Sequence, residues 1–74
     1  MTEKYYMEYK SLSYEELNNM LEKRLDKLSK LYGQLREAVK TDNLESYWKI
    51  NEELRDIRSQ IGAIQILKDQ KDLG

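Results

Sequence analysis

A chain of 74 residues has room for one domain, and a domain of that size buries only about 60% of the surface its unfolded chain exposes, so its core is marginal unless a staple, a partner or a second copy supports it. With no Cys and no His, disulfides, zinc-finger spacings, thiol nucleophiles and the commonest general base are excluded together. The 13 Lys+Arg against 14 Asp+Glu leave a net charge of -1, which argues against a generic polyanion binder and equally against an acidic mimic of nucleic acid.

Residues 1 to 12 read as a tyrosine-rich N-terminal arm. Tyr5, Tyr9 and Leu12 fit one helical face, while Tyr5, Met7 and Tyr9 fit one strand face. A lone strand would have no sheet to join, so the expectation is a short helical turn or an ordered arm. Tyr5, Tyr6 and Tyr9 offer amphipathic area either to cover the helix ends or to meet a partner. The N-terminus lacks the apolar core of a signal peptide, and the expected location is cytoplasmic.

The remainder, 13 to 74, reads as a helical hairpin. Ser13 followed by Glu16 is a capping box, and Leu12 with Leu17 can form a hydrophobic staple, so the first helix is expected over about 14–40. Tyr14, Leu17, Leu21, Leu25, Leu28, Leu31, Tyr32, Leu35, Ala38 and Val39 make its apolar stripe, with Asp26 and Lys30 paired on the solvent side. Gly33 falls opposite the stripe, where it costs about 1 kcal/mol relative to Ala.

Thr41 to Asn43 interrupt the pattern, and Asp42 with Glu45 suggests a second cap. A connection this short makes the helices antiparallel. The second helix, about 43–71, carries Tyr47, Ile50, Leu54, Ile57, Ile61 and Ile64 at coiled-coil spacing. Facing positions in such a hairpin have a nearly constant sum, and a sum near 85 keeps the apolar layers in register. One layer fails: Arg24 falls opposite Ile61, with Leu25 expected to take the core position and Arg24 to snorkel outward.

Helix two has a second stripe, Ser59, Gly62, Ala63, Ile66 and Leu73, with Trp48 off the seam on the same flank. A two-helix hairpin has no third layer to hide these groups. Three covers are open: the chain's own arm, a second copy pairing into a four-helix bundle, or a different protein.

Nothing in the sequence combines a nucleophile, a base and an orienting group, and paired acids such as Glu15-Glu16 and Glu52-Glu53 read as solvated faces, so no catalytic, metal or cofactor site is expected. The basic residues Lys23, Arg24, Lys27 and Lys30 are interleaved with Glu22 and Asp26, which weakens a nucleic-acid reading. Polar faces of mixed sign likewise weaken a membrane-surface reading. The expectation is therefore an all-α hairpin with an N-terminal arm, a homodimer, acting as a non-enzymatic protein-interaction module. Such a module would be a small regulator or inhibitor of a larger protein, of the kind phages and mobile elements encode. The alternative is a dimeric helical bundle that regulates by binding RNA or DNA.

Overall fold

The structure, a computed structural model, describes residues 2–73. Among these the chain forms three helices, α1 (Thr2–Tyr9), α2 (Tyr14–Lys40) and α3 (Leu44–Leu73), and no strand. The arm is thus a helix, and the two-helix expectation is corrected to three. Eight residues are too few to hold a helix alone in water, since isolated helices need about 12–15, so α1 exists by docking. Its face is set by Tyr5 and Tyr9, one turn apart with rings stacked at 5.8 Å.

The α2 N-terminus forms as its sequence dictates. The Ser13 hydroxyl accepts from the Glu16 N–H at 3.2 Å, and a Glu16 carboxylate oxygen accepts from the Ser13 N–H at 3.1 Å. Leu12 packs in the same cluster as Leu17, closing the staple. On the solvent side Lys30 and Asp26 pair at 3.2 Å.

The turn differs from expectation by one residue. Asn43, rather than Asp42, caps α3: its side-chain oxygen accepts from the Ser46 N–H at 3.2 Å. Asp42 instead ends α2, in the left-handed region at φ 57. The Asn43 N–H returns to the Ala38 carbonyl at 2.9 Å and the Asp42 N–H to Val39 at 3.2 Å, the two bonds of a Schellman motif. Such a motif needs a left-handed residue just past the helix, and Asp tolerates that better than a β-branched side chain.

α2 and α3 then run antiparallel. Side chains that meet across them include Arg24 with Gln60, Asn18 with Lys68 and Tyr32 with Arg58, whose position numbers sum to 84, 86 and 90. Leu31, Leu54, Ile57 and Ile61 form one buried cluster, flanked by Leu21, Leu28, Tyr32, Leu35 and Ile50. A second joins all three helices: Tyr9 from α1, Leu17 from α2, and Ala63, Ile64 and Leu67 from α3. Leu21 packs against both, which makes the core continuous.

Three stripe positions of α2 are corrected. Leu25, Val39 and Tyr14 are exposed. Leu25 and Val39 each stand about 100° round the helix from the neighbour that faces α3, Arg24 and Ala38 respectively. Arg24 does not swing out; it stays half-buried, its Nε donating to the Gln60 side chain at 2.5 Å. The helix therefore keeps a polar contact in the layer where an apolar one was expected.

Candidate interaction face

Among the described residues α3 is contacted on two sides. Its α2 side carries Leu54, Ile57, Ile61 and Ile64. Its α1 side carries Asp56, Gln60, Ala63, Leu67 and Gln70, the last reached by the Tyr6 hydroxyl at 2.9 Å. A polar chain ties the three helices together there. The Tyr5 hydroxyl donates to one oxygen of Asp56, the Gln60 amide donates to the other at 3.0 Å, and Arg24 donates to Gln60. The Asp56 carboxylate, by accepting that bond, raises the Tyr5 phenol above its ordinary 10.0.

The second stripe of α3 divides accordingly. Ala63 is fully buried under Tyr9, so α1 supplies its cover. Ser59 and Gly62 are half-buried, while Ile66 and Leu73 stay exposed. Trp48 is exposed near the turn, its ring edge-on to Tyr47 at 5.6 Å. Of the arm tyrosines, Tyr9 is buried, and Tyr5 and Tyr6 are half-buried with their hydroxyls bonded to α3. What the arm turns to solvent is Met7, with Glu3, Lys4, Glu8 and Lys10.

The two broad sides of the hairpin are unlike. On the side where α1 docks, a cleft is lined by Arg24, Lys27, Glu53, Asp56, Ile57 and Gln60. On the opposite side, one groove is lined by Leu21, Gln65, Lys68 and Asp69, and another at the turn by Ala38, Val39, Leu44 and Tyr47. This opposite side is held by two cation–aromatic contacts, Arg58 over Tyr32 at 5.6 Å and Lys68 over Tyr14 at 5.2 Å. Sequence spacing put Val39 on the seam, where its neighbour Ala38 is the buried one, and gave Leu44 no face; Val39 and Leu44 are both surface residues.

Tyr14, Leu25, Val39, Leu44, Trp48, Ile66 and Leu73 are all between 43% and 90% exposed, and none is claimed by α1. Among the described residues no group of three acidic side chains is placed to hold a metal ion, and no helix is long and apolar enough to cross a membrane. Comparison of the chain with family models, with curated proteins and with solved structures finds no match.

Proposed function

We propose that the chain is a non-enzymatic protein-interaction module, a small regulator or inhibitor that acts by laying an apolar face against a larger protein. One observation carries the reading. α1 closes one side of the hairpin and leaves large apolar side chains bare along the turn and the outer edge of α3, with Trp48, Ile66 and Leu73 the most useful of them. Each would contribute on the order of 1.5–3 kcal/mol if a partner buried it fully. An aromatic and two aliphatic anchors among charged neighbours is the composition of an interface core with a polar rim. Pairing of two copies into a four-helix bundle belongs to the same reading, with α1 on the outside.

The test is capture from host lysate by the wild-type chain and by a Trp48→Ala, Ile66→Asp variant, both checked for unchanged helicity by circular dichroism. A target retained by the first and lost by the second supports the proposal. Identical captured sets would sink it.

A further inference from the structure

We draw no further inference here: the strongest candidate, the apolar flank that the exposed Tyr14, Leu25 and Val39 form along α2, is an unpartnered face, and nothing in the structure shows what covers it.

Discussion

Replacing Tyr9 with Ala tests whether α1 is a docked part of the fold or a passive tail. Tyr9 is 8% exposed and closes the cluster over Leu17, Ala63, Ile64 and Leu67. A tyrosine buries about 150–250 Å², which at about 25 cal/mol/Å² sets a ceiling of about 4–6 kcal/mol. The true loss is smaller, because α1 can detach as a unit and the damage stops at its docking free energy. A value of about 3 kcal/mol is expected, a large share of the roughly 4–11 kcal/mol available to a chain of this length. With a urea slope of about 1.5 kcal/mol/M the midpoint should fall by about 2 M in circular dichroism at 222 nm. Hydrogen exchange should then find the α1 amides unprotected in water while those of Leu54 and Ile57, in the other cluster, remain slow. Tyr9→Phe, which keeps the ring, should lose little. A midpoint shift under about 0.3 M with α1 amides still protected would refute the account of α1 as held by tertiary contact.

Gly33→Ala should stabilise the chain by up to about 1 kcal/mol, a rise of roughly 4–8 °C in Tm, because an added Cβ meets nothing within 4 Å; a lower Tm would contradict this. Asp42→Gly should also raise stability, by under about 1 kcal/mol, since relief of the left-handed strain outweighs the extra freedom gained by the unfolded chain; thermal melts decide the sign. Backbone and hydroxyl bonds from Ser13 hold the Glu16 carboxyl below its ordinary 4.5, so its contribution is present above that value and lost as pH falls through the folded value. Urea midpoints of wild type and Glu16→Gln should therefore converge in acid, and a difference independent of pH would rule the carboxylate out. Tyr5 runs the other way: its raised phenol supplies stability below pH 10 that is lost as pH rises through the folded value, and Tyr5→Phe should flatten the alkaline limb of the unfolding profile.

The sequence by itself determined the all-helical class, the antiparallel hairpin and the cap at Ser13, because these depend on spacing and on bonds between residues three or four apart. It also marked the second stripe of α3 as surplus to a two-helix plan. Tertiary structure decided what became of each part. Tyr5, Tyr6 and Tyr9 were legible as amphipathic area, but only their contacts with Asp56, Gln70 and Ala63 turn the arm into α1. Arg24 against Leu25 was a choice between neighbours 100° apart, and it turned on the presence of Gln60 across the seam. The cap shifted from Asp42 to Asn43 because closing α2 required a left-handed residue first. Local pattern is set by bonds within one turn of helix, whereas the allocation of faces depends on residues some fifty positions away, and no window along the chain contains both partners.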